Sequence, residues 1–439
     1  MPPTKAIFTL ALPTIISQLI TVVYNMADTF FIGQLNDPKK VAAVTLAMPA
    51  FMAMVGISNL FGIGGSSVIS RHLGAGEKER AKECSAFSIW TAGAFAVLWS
   101  VILITFHSPI LNLLGCGDDT KDYCYSYLFW TVGIGALPTV MSAVLAHLIR
   151  SEGYSSKASF GIVLGGIMNI ALDPIFILAL NLGVTGAAIA TALSNCIALS
   201  YFIITLIKIR PSSALSISPK DYTLAHHIPF EVLTVGFPSF IMFLMGILSN
   251  TILNTLVASY SSEAIAGMGI AKKIDMLAFA VANGMTQGVL SLVGYNYASN
   301  DRKRMNKVIK LTFAYTLIIS VAAGVFLFTC AAPVSRFFID NAETVAYGQY
   351  FLRVICLTCP TIAVTFIIIT VFQATGKKLQ PMILSLIRKG GFDIPLMLVL
   401  NRYFSARGIA WATPLSDILA MSVALLLFIP YLKKISKPQ

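Results

Sequence analysis

Long apolar stretches follow one another along almost the whole chain, and they decide the solvent in which this chain folds. A stretch of about 20 apolar residues crosses a bilayer as a helix. Such stretches recur from "AIFTLALPTIISQLITVV" near the N-terminus to "SVALLLFIPYL" near the C-terminus, and no soluble domain fits between them. Charged residues make up only 11% of the chain, compared with about 25% in soluble domains. The sequence therefore predicts an all-α integral membrane protein.

We predict twelve transmembrane helices, near 8–33, 43–70, 85–107, 124–149, 158–180, 186–208, 231–258, 265–297, 308–331, 346–373, 380–401 and 408–432. Lys and Arg accumulate in cytoplasmic loops. The basic segments 71–82, 208–220 and 302–310 lie at one set of helix ends, and few basic residues lie at the other. We therefore expect a multi-pass protein of the cell (cytoplasmic) membrane with both termini in the cytoplasm. Because loops account for the net charge of +12, no nucleic-acid partner is expected.

The two halves of the chain resemble each other. "LPTIISQLITVVYN" (12–25) aligns with "FPSFIMFLMGILSN" (237–250), and "GAAIATALSN" (186–195) aligns with "GIAWATPLSD" (408–417). Six helices in each half make the repeats parallel, which is typical of carriers that work by alternating access. We predict an N-terminal lobe at 1–208, a cytoplasmic linker at 209–230 and a C-terminal lobe at 231–439.

A polar stripe runs along the first helix. Ser17, Thr21, Tyr24 and Asp28 step by four, three and four positions, so they share one helix face. An Asp at the centre of a bilayer costs about 2.5 kcal/mol or more. Asp28 is therefore expected to face other helices or water and to have a function.

Further oxygen-bearing side chains lie in the fifth and sixth helices. Asn169 and Asp173 are four residues apart and Pro174 follows, while Thr191 lies in the next helix. Two neighbouring carboxylates in a low dielectric cannot both stay ionised at low cost. We predict that Asp28, Asn169, Asp173 and Thr191 transiently hold a sodium ion or a proton. The alternative is that the acids only hydrogen-bond neighbouring helices, which Ser or Asn would do at lower cost.

The second half has a different charge pattern. Leu253 stands where the repeat would place an equivalent of Asp28, and the ionisable residues there include Asp275, which is expected to pair with Lys272. We expect one lobe to handle the ion and both lobes to contact the substrate. The proposed lining of the substrate cavity is polar, which favours amphipathic organic cations, and consists of Gln18, Asn25, Asn250, Asn254 and Asp275.

The segments "LPTIISQLITVVYNMADTFFIG", "RHLGAGEKERAKE" and "NIALDPIFI" resemble the multidrug and toxic compound extrusion (MATE) family, closest to its bacterial MepA/DinF-like branch. The resemblance covers essentially the whole chain. It implies two six-helix lobes in a V shape that export organic cations, as drugs or dyes, in exchange for sodium ions or protons. It also implies a cation site at Asp28, Asn169, Asp173 and Thr191, with Tyr24 close by. An alternative arrangement in the family has an acid in the tenth helix, where this chain has none.

Three other functions remain as alternatives. A flippase for lipid-linked oligosaccharides, from the same superfamily, would use basic residues such as Arg388 and Lys389. A channel fits a duplicated architecture less well than a carrier does. An intramembrane enzyme is disfavoured because the sequence has neither an HExxH nor a GxSxG motif. We expect a monomeric transporter that uses no cofactor beyond its coupling ion.

The charge asymmetry leads to a prediction of topology. Single-cysteine variants Ser212→Cys and Asn341→Cys, made without the native cysteines, are treated in intact cells with an impermeant thiol reagent. Only the second should be labelled, because Ser212 lies among basic residues that remain in the cytoplasm. Labelling at position 212 alone would reverse the orientation and therefore the direction of export.

Overall fold

The computed structural model describes residues 1–35, 37–338 and 341–435; residues 36, 339, 340 and 436–439 of the predicted lobes lie outside this range. All regular structure in the described residues is helical, as expected where backbone groups cannot bond to water. The first half contains α1 (Pro3–Gly33), α2 (Pro38–Ala75), α3 (Lys78–Thr105), α4 (His107–Leu113), α5 (Asp118–Leu128), α6 (Ala136–Ser151), α7 (Ser155–Asp173) and α8 (Gly183–Ile209). The second half contains α9 (Ile228–Ala258), α10 (Ser262–Ala298), α11 (Arg302–Thr329), α12 (Ala331–Phe338), α13 (Ala342–Ile355), α14 (Cys359–Ala374), α15 (Leu379–Leu386) and α16 (Ile394–Ile435).

These helices make twelve membrane-crossing segments within the described residues. Ten helical stretches are long and apolar enough to span a bilayer, and the pair Asp118–Ile134 and Ala136–Ser151, bent by 50°, forms one more. The 57-residue stretch Leu379–Ile435 is one of these ten, but it is long enough for two crossings, and the backbone leaves the helical conformation at Ser405 (φ 54°, ψ −148°), which divides it into two helices. The predicted all-α, twelve-helix fold class is confirmed.

Local sequence signals define several helix starts. The side chain of Ser261 accepts a hydrogen bond from the N–H of Ala264, and that of Asn341 accepts one from Thr344, so both residues are N-caps. At the other end of α2, Gly76 takes a left-handed conformation (φ 80°), which glycine adopts without steric cost. The basic segment 71–82 therefore falls at a sharp boundary between α2 and α3.

Three π-helical turns, in which each hydrogen bond joins residues five positions apart, lie next to the α-helices. The turns are Phe129–Ile134 between α5 and α6, Pro174–Ala179 after α7, and Ile387–Asp393 between α15 and α16. Such turns are rare and frequently lie at functional sites. Pro174 explains the second one, because its nitrogen cannot donate to the preceding turn.

The chain divides into two compact units. The N-terminal unit is Ile16–Phe240, and the C-terminal unit combines Met1–Ile15 with Ile241–Gln439. These bounds differ from the predicted lobes, 1–208 and 231–439, at the first turns of α1 and α9. Gly288 on α10 lies against Ala11, whereas Gly236 on α9 lies against Leu60. Each of these first turns is therefore grouped with the unit whose backbone it touches.

In the N-terminal unit, α2 lies at the centre of a continuous apolar core. Its Phe61 is fully buried, as is Phe202 of α8. Small residues bring the helices close, because a Cβ on Gly62 would collide with His147 of α6, a pattern common in membrane bundles.

The predicted linker is also structured. Ser85 Oγ of α3 accepts a hydrogen bond from the N–H of Ser216 at 2.8 Å, and Trp90 Nε1 donates to the carbonyl of Ile217 at 3.2 Å.

The C-terminal unit has its own core. Phe351 of α13 and Phe372 of α14 are fully buried, and α10 packs against both helices. Many large apolar side chains elsewhere are exposed, including Ile318, Val325 and Phe326 on α11. In a membrane protein such a face is covered by lipid, so the exposure agrees with a multi-pass arrangement.

Candidate functional site

The polar stripe of α1 packs against α7 within the N-terminal unit. Ser17 Oγ lies 3.4 Å from Ser159 Oγ. Farther along, Gly166 of α7 leaves room for α1, since a Cβ there would lie 2.9 Å from Ile20 and 3.2 Å from Tyr24. The stripe is therefore turned toward a neighbouring helix, as the cost of polar groups in lipid requires.

Asp28 continues this stripe and is buried. The residue is 8% exposed, and its Oδ1 has no hydrogen-bond partner. Asp173, at the last position of α7, is fully buried and lies within electrostatic range of Asp28. The structure thus brings the two predicted carboxyl groups into one cluster.

Asn169 connects this pair to α8. Its Nδ2 lies 3.4 Å from Asp173 Oδ1 and 3.4 Å from Thr191 Oγ1. Both distances exceed the usual 2.9–3.0 Å of such bonds, so the contacts are loose. Asn169 therefore links Asp173 on its own helix to Thr191 on α8, so that three of the four predicted ligands lie within hydrogen-bond reach of a neighbouring ligand.

The cluster contains buried oxygen atoms without partners. These atoms are Asp28 Oδ1, Asn169 Oδ1 and Asp173 Oδ2. A buried polar atom that lacks a hydrogen bond costs roughly 1–3 kcal/mol, and more when it is charged. Hard cations take oxygen ligands of these kinds, and a carboxylate can equally accept a proton. The oxygen atoms of this cluster therefore fit either a sodium ion or a proton.

A group of three or more His, Cys, Asp or Glu side chains able to hold a metal does not occur in the described part of the chain. The four predicted ion ligands comprise only two acids, together with an amide and a hydroxyl. This composition suits a weakly held monovalent ion better than a resident transition metal, which prefers imidazole and thiolate ligands.

Tyr127 on α5 belongs to the same cluster, and sequence reasoning missed it. It is 3% exposed and lies within electrostatic range of Tyr24, Asp28 and Asp173. It is one of several aromatic residues in the segment "DYCYSYLFW". Its position in that segment, one helical turn after Tyr123 and Cys124, gives no sign that it faces the acids.

The predicted substrate-contacting residues divide between the units. In the N-terminal unit, Asn25 donates to the carbonyl of Thr21 at 2.8 Å, and Gln18 is half-buried. In the C-terminal unit, Asn250 and Asn254 are exposed on one face of α9. Asp275, on α10, is half-buried. Their role as a cavity lining stays a prediction.

Basic and acidic side chains are paired inside the C-terminal unit. Arg388 Nε lies 2.7 Å from Asp417 Oδ1, and Lys389 Nζ lies 2.7 Å from Asp393 Oδ2. All four side chains are at most 15% exposed. Asp275 lies within electrostatic range of Lys272 and of Lys389, and its pairing with Lys272 stays a prediction.

A family model described as MatE matches the chain twice, over residues 13–175 and 238–399. The multidrug export protein MepA of Staphylococcus saprophyticus is 30% identical over 423 residues, which cover 96% of this chain and 93% of that protein. MepA of Staphylococcus haemolyticus is 29% identical over 428 residues, covering 97% and 93%. A solved structure described as the outward-facing conformation of a multidrug resistance MATE family transporter of the MOP superfamily shares the fold, with a TM-score of 0.93, 24% identity and coverage of 99% and 97%.

These matches extend along both halves of the chain and agree with its internal repeat. The predicted family resemblance, including its MepA-like branch, is confirmed. The expectation of a transporter is confirmed with it, since members of the family are transporters and not enzymes. With a family model that matches most of its length and a relative 30% identical across 96% of it, the chain belongs to the MatE (multidrug and toxic compound extrusion) family of multi-pass membrane transporters.

Proposed function

We propose that this protein exports amphipathic organic cations in exchange for sodium ions or protons, and that Asp28, Asn169, Asp173 and Thr191 bind the coupling ion. The observation that carries the proposal is the set of three buried oxygen atoms without partners on α1 and α7. The names of the relatives support the substrate side, because MepA proteins are described as multidrug export proteins.

An ion at this site relieves an electrostatic cost. The acids lie in helices long and apolar enough to cross a bilayer, where an unneutralised carboxylate is expensive. A proton or a sodium ion removes that cost when it binds. One cation that enters down a potential of 100 mV releases about 2.3 kcal/mol, to which its concentration gradient adds.

Helix α1 provides a means of coupling. Asp28 lies in the part of α1 that belongs to the N-terminal unit, whereas the first 15 residues of the chain belong to the C-terminal unit. Pro13 lies inside the helix near this division, where a missing N–H weakens the helix. Ion binding drives transport only if the ion and the drug favour different conformations. A bend of α1 near Pro13 that depends on the charge of Asp28 meets that requirement.

The flippase alternative is less well supported. Recognition of an anionic pyrophosphate requires basic groups that are free to bind it. Arg388 and Lys389 are each held at 2.7 Å by an acidic side chain of their own unit. Their charge is therefore already balanced within the protein.

The remaining features of the proposal are expectations from the sequence. We place the protein in the cytoplasmic membrane with both termini inside the cell, as a monomer that needs no nucleic acid or cofactor. Gln18, Asn25, Asn250, Asn254 and Asp275 are the proposed contacts to the drug, and Tyr24 supports the ion site.

The substrate class can be tested with the purified protein in proteoliposomes. A sodium gradient, and separately a pH gradient, is imposed in the presence of an ethidium-like cationic dye or an anionic dye of similar size. We expect transport of the cationic dye only, driven by one of the two gradients, because desolvated acids attract cations. Transport of the anionic dye alone would contradict the proposal.

Removing the charge of Asp28 should separate binding from coupling. In Asp28→Asn the shape is kept, so the folded protein should still bind the dye, while gradient-driven export falls at least about tenfold, within the range of a coupling free energy of 1–3 kcal/mol. Asp173→Asn should behave alike and Asp275→Asn should be milder. Asp119→Asn is the control, because Asp119 is exposed and paired with Lys39. Export at the wild-type rate in folded Asp28→Asn would reduce Asp28 to a structural residue.

A substitution of Thr191 tests the contribution of the uncharged ligands to the proposed ion site. Thr191→Val keeps the volume and removes the hydroxyl that contacts Asn169. The loss of about 1 kcal/mol should raise the ion concentration that gives half-maximal export roughly fivefold. Thr205→Val on the same helix removes another buried hydroxyl and should leave that concentration unchanged. Equal effects of both substitutions would assign Thr191 a role in packing only.

A further inference from the structure

The C-terminal unit contains a counterpart of the ion site. The family model matches both halves, and "NIALDPIFILALN" (169–181) corresponds to "KGGFDIPLMLVLN" (389–401). In this correspondence Asp393 replaces Asp173 and Lys389 replaces Asn169. The alignment of 186–195 with 408–417 places Thr413 at the position of Thr191. Each of the two acids also adjoins a π-helical turn, which begins after Asp173 and ends at Asp393.

The contacts of the counterpart acid match the sequence correspondence. Asp393 Oδ1 accepts a hydrogen bond from Thr413 Oγ1 at 3.2 Å. Its Oδ2 accepts one from Ser249 Oγ at 2.7 Å and contacts Lys389 Nζ at 2.7 Å. Ser249 precedes Asn250, the repeat partner of Asn25, and therefore corresponds to Tyr24. The positions that correspond to Thr191 and Tyr24 thus contact the acid in the C-terminal unit, whereas in the N-terminal unit Thr191 contacts Asn169, which in turn contacts the acid.

The two clusters differ in how their oxygen atoms are satisfied. In the N-terminal unit one oxygen of Asp173 has no partner, and Asn169 lies 3.4 Å away. In the C-terminal unit both oxygens of Asp393 are bonded, and the closest charged partner is an ammonium. Lys389 provides a positive charge at the position of the neutral Asn169, and Lys272 also lies within electrostatic range of Asp393.

We propose that the ammonium of Lys389 is a built-in cation that occupies the C-terminal counterpart of the ion site, and that its removal uncovers a latent sodium site made by Asp393, Ser249 and Thr413. The comparison with the N-terminal cluster rests on the proposed function. The contacts of Asp393 in the C-terminal unit are observed independently of that function.

The chemistry supports this exchange of one cation for another. A lysine ammonium carries a single charge and donates to oxygen atoms, as a sodium ion is coordinated by them. At 2.7 Å from Asp393 the ammonium excludes a second cation by repulsion as well as by volume. Because Lys389 is tethered to its helix, this charge cannot leave. The cluster therefore stays in one charge state while the N-terminal cluster gains and loses its ion.

A substitution that copies the N-terminal unit tests the proposal. Lys389→Asn removes the ammonium and supplies an amide oxygen at the position that corresponds to Asn169. Radioactive sodium binding to the purified full-length protein should increase by one ion per chain relative to the wild type. The midpoint of thermal unfolding should rise by about 3 °C or more in sodium chloride compared with choline chloride at equal ionic strength. In the wild type, the C-terminal unit should bind no sodium ion and should add nothing to the rise of the unfolding midpoint in sodium chloride.

Two further variants serve as controls. Lys389→Asn combined with Asp393→Asn removes both charges, so it should fold and gain no sodium. Lys303→Asn removes an exposed lysine and should also gain none. If Lys389→Asn folds only in sodium, the latent site is supported. No gain of sodium in folded Lys389→Asn, or failure to fold in both salts while the double variant folds, would overturn the proposal.

The same measurements separate this inference from the proposed function. In the background of Asp28→Asn with Asp173→Asn, any sodium bound by the N-terminal unit should be lost, which tests the proposed function alone. Adding Lys389→Asn to this background should restore one sodium ion. Loss without restoration would contradict only the built-in cation, and restoration without prior loss would contradict only sodium binding at Asp28.

Discussion

The cost of a carboxylate inside hydrocarbon is the constraint on which the organisation of this protein depends. Such a group requires a nearby positive charge, a proton or an environment of hydrogen-bond donors. The C-terminal unit meets the requirement with lysine and arginine, at 2.7 Å from Asp393 and Asp417. The N-terminal unit leaves oxygen atoms of Asp28 and Asp173 without partners. In the proposed mechanism, one unit therefore has a fixed charge and the other a charge that changes when an ion binds.

This difference shows how a duplicated fold can divide its tasks. The helices of both halves follow the same order, and a π-helical turn begins directly after Asp173 and another ends at Asp393. A few substitutions, such as Asn169 against Lys389, separate the two clusters. The fold depends on helix packing and on internally bonded backbones, which these substitutions leave in place. Duplication therefore allows one cluster to become electrostatically closed without loss of the architecture.

Sequence reasoning succeeds where the signal is local or periodic. Apolar length predicts the twelve helices, and the four-residue spacing of Asn169 and Asp173 predicts that they share a face; the structure places them 3.4 Å apart. It misses Tyr127, because contact between α5 and the acids depends on lateral packing that no spacing within one helix reveals. It also pairs Asp275 with Lys272 alone, whereas Lys389 contributes to the same electrostatic environment. Charges on different helices can be assigned to partners only after the bundle is known.

The closed charge of the C-terminal unit has a consequence for the energetics of a transport cycle. We consider the case in which only the N-terminal cluster exchanges its cation and one monovalent ion enters for each drug molecule that leaves. For a monovalent drug no net charge then crosses the membrane, and the membrane potential contributes nothing to the export. The concentration gradient of the ion alone sets the limit. A dication leaves against the potential, and a neutral drug leaves with its help. The number of charges on the substrate thus decides how far this protein can lower its concentration in the cell.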